Sequence, residues 1–61
     1  MAITHYERDI LRVLLRRIGW INTTQIARIT GMSWNTAIKY LQRMYGRGWL
    51  SKNGNYWRAR R

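Results

Sequence analysis

Residues 23 to 50, from Thr23 to Leu50, read TTQIARITGMSWNTAIKYLQRMYGRGWL. Two stretches with helical spacing flank Gly31-Met32-Ser33, and Gly48 followed by Trp49-Leu50 closes the second. The first stretch is expected to run from Thr24 to Thr30 behind a cap at Asn22 or Thr23, with Ile26, Ala27 and Ile29 as inward candidates. Gly31 permits the left-handed backbone that a tight turn between helices requires. Met32 is placed to plug the angle, and Ser33 to cap the helix that follows.

That following helix, Trp34 to about Arg47, divides into two faces. Ala37, Tyr40, Leu41, Met44 and Tyr45 fall on one side with Trp34 and Ile38, while Asn35, Thr36, Lys39, Gln42, Arg43 and Arg47 fall on the other. The polar side holds no acid. An ordinary solvated helix mixes in Glu and Asp, whereas Asn, Gln, Arg, Lys and Thr are the side chains that pair with base edges or hold phosphates. Two helices across a tight turn, the second with such a face, follow the grammar of a helix-turn-helix.

N-terminal to this unit, Thr4 and Glu7 have the spacing of a capping box, which predicts a helix from about residue 4 to Ile18 with Gly19 as its stop. Tyr6, Ile10, Leu11, Val13, Leu14, Leu15 and Ile18 span an arc of roughly 200°, about twice the stripe a surface helix needs. This helix is either covered from two sides or meets a second copy, and a homodimer through it is expected. Arg8, Arg12 and Arg16 line its opposite side, a solvated stripe that also suits a phosphate backbone. Trp20-Ile21 is long enough for a short strand.

C-terminal to the unit, residues 49–52 and 55–58 flank Asn53-Gly54, a strong hairpin signal because both types tolerate positive φ. With Asn53-Gly54 as the loop, Lys52 faces Asn55, Ser51 faces Tyr56, Leu50 faces Trp57 and Trp49 faces Arg58. Both faces then carry apolar groups, so the pattern alone does not choose the inner one. Residues 59–61 form a basic tail.

Sixty-one residues make one domain, 1–61, with a thin core, and the chain holds no cysteine to staple it. Twelve Lys and Arg, ten of them Arg, stand against Glu7 and Asp9, for a formal charge of +10. Such an excess attracts a polyanion, and nucleic acid is the usual one for a folded basic domain. The fold class expected is mostly α with a small β-hairpin. MAITHYERDI is not a secretory signal and no apolar run spans a bilayer, so a soluble cytoplasmic protein is expected.

Ala27 and Gly31 at four-residue spacing, GMSWNT, the Leu41 and Met44 pair, Gly48-Trp49-Leu50 and the Asn53-Gly54 hairpin together resemble the winged helix-turn-helix family. The resemblance covers nearly the full length, and size and Arg content are also similar to compact winged-helix proteins of archaea and their viruses or plasmids. It implies a recognition helix in the major groove and a wing on adjacent backbone or minor groove. The candidate DNA-contact set is Ser33, Trp34, Asn35, Thr36, Lys39, Gln42, Arg43 and Arg47 from the helix, with Lys52, Asn53, Asn55 and Arg58 from the wing. Two positions depart from the pattern: Ala37 stands where a larger aliphatic is common, and Thr30 where an apolar residue is frequent. Trp34 has two readings, packing beside Ile38 and Leu41 or contact with the groove.

Catalysis is not expected. Glu7 and Asp9 are two apart on a helix and do not face each other, His5 has no cysteine or carboxylate cluster to share a metal with, and no phosphate-binding glycine loop is present. Neither a cofactor nor a small-molecule ligand is expected. The leading expectation is a sequence-specific double-stranded DNA-binding regulator. A sequence-tolerant binder in packaging, replication or segregation follows, then a winged-helix protein-interaction module presenting Trp34, Ile38 and Tyr45, and lastly a Trp/Arg-rich membrane-active peptide.

Overall fold

Thr4 opens the first helix as its spacing with Glu7 predicts. The Glu7 amide donates to Thr4 Oγ1 at 3.2 Å, and the Thr4 amide donates back to Glu7 Oε1 at 3.2 Å, completing a capping box. The computed structural model describes residues 4–17 and 19–60. Ile18, expected in the last turn of this helix, and Arg61 of the basic tail lie outside them.

The elements are α1 (His5–Arg16), β1 (Ile21–Asn22), α2 (Thr23–Thr30), α3 (Trp34–Gly46), β2 (Leu50–Asn53) and β3 (Tyr56–Ala59). Three helices and one three-stranded antiparallel sheet of order β1-β3-β2 give a mostly helical fold with a small hairpin, a layout compatible with a winged helix. Helix α1 ends at Arg16, two residues before the expected last residue. Arg17 is already extended (φ −101°, ψ 141°), which sends the chain toward the sheet before Gly19. The third strand is Ile21–Asn22, one residue later than expected. Asn22 caps α2 through its side chain, which accepts from the Gln25 amide at 2.7 Å.

At the inter-helical turn Gly31 adopts φ 75° and ψ 22°, and the Met32 amide donates to Ala27 O at 2.9 Å. Ser33 Oγ accepts from the Thr36 amide at 3.2 Å and starts α3. Ala37 is fully buried, and its small side chain leaves room for α2 and α3 to approach. Thr30 satisfies its hydroxyl by donating to Ile26 O at 2.7 Å, so a polar residue is tolerated at the end of α2. Ile29, expected to face inward, is exposed, because Ile26 and Ala27 already fill the buried face of this two-turn helix.

The hairpin register differs from expectation. Leu50 pairs with Ala59, Ser51 with Arg58, Lys52 with Trp57 and Asn53 with Tyr56, so the loop is Gly54-Asn55 rather than Asn53-Gly54. Gly54 has φ 62° and no non-glycine residue in the described chain has positive φ, the sign pattern of a type II′ turn with glycine first. A shift of two in the partner preserves the faces. Leu50, Trp57 and Ala59 point inward, while Tyr56 and Arg58 are exposed. Ala59 therefore belongs to β3 rather than to the tail, and the Arg60 amide also joins the sheet by donating to Trp49 O at 2.9 Å.

One core unites all elements: Ile10 and Leu14 of α1, Ile26 of α2, Leu41 and Met44 of α3, and Ile21, Leu50, Trp57 and Ala59 of the sheet. Leu11 and Val13 pack against it partly buried, so α1 is covered over most of its apolar arc. Trp57 sits at the centre. Its indole N–H donates to Thr23 Oγ1 at 2.8 Å, and Thr23 in turn donates from its hydroxyl (3.2 Å) and its amide (3.1 Å) to Asn55 O. These three bonds fix the tip of the hairpin to the start of α2.

Candidate nucleic-acid interface

Helix α3 presents its polar face because Ala37, Leu41 and Met44 are held in the core on the other side. Asn35, Lys39, Gln42 and Arg43 are all exposed and lie within an arc of roughly 100° at 3.6 residues per turn. No acid shares that arc. Lys39 Nζ and Arg43 Cζ lie 5.9 and 5.8 Å from the Tyr40 ring, which stacks on Tyr6 of α1 with centroids 5.3 Å apart. Both cationic heads thus lie within cation–π range of Tyr40, whose ring is braced by Tyr6.

Flanking the polar face on the wing side is an apolar strip of Trp34, Ile38 and Tyr45. Tyr45 meets Trp57 edge-on at 6.3 Å, and Ile38 packs partly buried against the core. Trp34 does not pack into the core: it is 46% accessible and lines a surface cavity shared with Asn55 and Tyr56 of the hairpin.

The remaining candidates separate by what already holds them. Ser33 and Thr36 are engaged with each other, the Ser33 hydroxyl donating to Thr36 Oγ1 at 2.9 Å, which leaves them as cap residues at the edge of the face. Lys52 is exposed, with Nζ 5.4 Å from the Trp57 ring and 6.0 Å from that of Tyr45. Asn53 and Asn55 are exposed around the turn. Arg58 lies on the outer face of the sheet, its guanidinium 5.3 Å from the Trp20 ring. This puts it on the opposite side of β3 from Trp57.

Arg47 is the candidate whose position changes its meaning. Its guanidinium donates to Glu7 Oε2 at 2.9 Å and stands 5.1 Å from the Trp49 ring, directed back across α1 rather than outward with Arg43. Glu7 is 1% exposed and Arg47 27%. The pair lies 40 residues apart in sequence, so helical periodicity could not reveal it. The same pair withdraws one of the two acids from the surface, which sharpens the positive character of what is left.

On α1, Arg8, Leu11, Arg12, Leu15 and Arg16 line a shallow groove of about 310 Å³. Its floor is aliphatic and its rim cationic. Among the described residues, no group of three His, Cys, Asp or Glu could hold a metal ion, and no helix is long and apolar enough to cross a membrane.

The chain belongs to a family described as "Bacterial protein of unknown function (DUF977)", whose model matches residues 1–60. The bacterial description gives no support to the archaeal, viral or plasmid affinity suggested by size and Arg content. No curated protein and no solved structure matches the chain.

Proposed function

We propose that this member of the family binds double-stranded DNA as a sequence-specific regulator, with α3 in the major groove and the β2–β3 hairpin on the adjacent backbone or minor groove. The observation that carries the reading is the acid-free, exposed arc of Asn35, Lys39, Gln42 and Arg43 on a helix otherwise locked into the core. Asn and Gln pair in bidentate fashion with adenine, and Arg with guanine. Lys52 beside α3 and the Asn53 to Asn55 turn supply the second contact, which fixes orientation more than sequence.

Selection from a random duplex pool tests this. Enrichment of a motif supports a regulator; retention without enrichment favours the sequence-tolerant binder that a +10 charge also suits, since phosphate neutralisation dominates non-specific affinity. The interaction-module reading is weaker because Ile38 packs partly buried against the core, leaving Trp34 and Tyr45 as its exposed groups, beside a polar arc without acids in a chain of charge +10.

The expected homodimer through α1 remains part of the proposal in a restricted form. Leu11 and Leu15 are flanked by Arg8, Arg12 and Arg16, so two copies meeting at this groove bring like charges together.

A further inference from the structure

A cavity of about 200 Å³ opens where three elements meet: the start of α2, the first residue of α3 and the β2–β3 turn. Asn22, Thr23, Thr24, Trp34, Asn55 and Tyr56 line it. Every one of these side chains is uncharged, in a chain with twelve Lys and Arg. A site for a phosphate would be expected to recruit a cation. The helix end does not substitute for one, because the Thr23 amide already donates to Asn55 O at 3.1 Å and the Gln25 amide to Asn22 Oδ1 at 2.7 Å.

The lining instead combines two groups suited to a flat, neutral, hydrogen-bonding ligand. Trp34 and Tyr56 both line the cavity and are 46% and 48% exposed, which leaves aromatic surface on each for a planar ligand. The Asn55 side-chain amide and the Thr24 hydroxyl have no hydrogen-bond partner among the described residues, and both can read a heterocycle edge. The walls are also held in place. Thr23 ties the Asn55 carbonyl to α2, and the pairing of Asn22 with Tyr56 fixes the register of β3 on β1.

We infer that this cavity is a nucleobase site, in which Trp34 and Tyr56 stack on the base and Asn55 and Thr24 hydrogen-bond its edge. The inference rests on the duplex-binding reading for where the base comes from. Trp34 immediately precedes Asn35, the first residue of the polar arc, so an extrahelical base at that end of α3 lies beside the cavity mouth. A free nucleoside offers the same chemistry. Stacking on aromatic side chains and hydrogen bonding to an exposed edge is the general mode by which unpaired bases are held.

The test measures affinity of the full chain for a perfect duplex of about twenty base pairs and for the same duplex carrying one unpaired adenine, thymine, guanine or cytosine. Free adenosine, thymidine, guanosine and cytidine are titrated separately. The expected result is that at least one bulged duplex binds roughly tenfold tighter than the perfect one, with Trp34→Ala and Tyr56→Ala each removing the preference and Trp34→Phe keeping it. Urea denaturation of each variant confirms folding, and the two alanine variants, in different elements, check one another. Nucleoside binding that the same variants abolish assigns the site to a free ligand instead. Equal affinity for bulged and perfect duplexes together with no nucleoside binding overturns the inference and leaves duplex binding standing. Failure to bind any duplex overturns the duplex reading, and the nucleoside arm alone then decides the site.

Discussion

Arg47 donates a hydrogen bond to the Glu7 carboxylate at 2.9 Å, joining the end of α3 to the first turn of α1 around a carboxylate that is almost wholly buried. Glu7 also closes the capping box with Thr4, accepting from its amide and its hydroxyl at 3.2 and 3.0 Å. One acid therefore caps the start of α1, pairs with a cation and locates the end of α3 against α1.

Removing Arg47 is predicted to act on stability before it acts on binding. Arg47→Ala leaves Glu7 buried without its cation, at a cost of about 3 kcal/mol, the low end for such pairs because Arg47 is partly solvated. A domain this small has only about 3–5 kcal/mol to lose. Urea denaturation should show Arg47→Ala retaining at most about 2 kcal/mol of stability and Arg43→Ala within about 0.5 kcal/mol of the parent, as for an ordinary surface position. Equal stability of the two variants would contradict the role assigned to the pair.

Thr23 is the corresponding hinge for the wing. Thr23→Val keeps the shape but leaves the buried Trp57 indole N–H without an acceptor, so it should destabilise the fold by ~1–3 kcal/mol, while Thr23→Ser should retain most of the parent stability. Loss of the hydroxyl bond to Asn55 O should also speed amide exchange in the turn relative to α3. A stable Thr23→Val protein with an unchanged turn would show that the indole finds another partner.

Base readout and phosphate contact separate by variant. Asn35→Ala and Arg43→Ala should each cost ~1–3 kcal/mol on the preferred site and relax preference at one position. Lys52→Ala should weaken all duplexes alike and lower the logarithmic salt slope by about one. Measured across preferred and scrambled duplexes, a uniform loss for Arg43→Ala would move that residue to the backbone.

Much of this arrangement is legible from short-range pattern. Thr4 with Glu7, Gly31 between two amphipathic stretches, Ser33 before Trp34 and Gly48 after α3 each act within a few residues, and each performs the local task its chemistry suggests. What escaped the sequence is long-range. Arg47 shares a wheel edge with the polar face, and only the fold brings it to Glu7. Asn53-Gly54-Asn55 offers two overlapping loops, and the choice of Gly54-Asn55 goes with an Asn55 carbonyl that Thr23 can reach. The position of Trp34 likewise depends on where the hairpin tip falls, which periodicity in α3 does not encode.

Self-association through α1 carries its own signature. Because Arg8, Arg12 and Arg16 rim the groove, added salt should strengthen such a dimer by screening their repulsion, opposite to its effect on DNA binding. Sedimentation equilibrium at low and high salt, repeated on Leu11→Ala, reads this directly. A dimer that weakens in salt places the interface elsewhere.

The most direct measurement retains the chain on a random-sequence duplex pool at two salt concentrations and sequences what stays bound at the higher one, for the parent and for Lys39→Ala with Arg43→Ala. The account predicts salt-sensitive retention, an enriched motif for the parent, and loss of that motif when Lys39 and Arg43 are removed. Absence of retention at either salt, or retention that the double substitution leaves unchanged, would contradict the assignment of the α3 face to DNA.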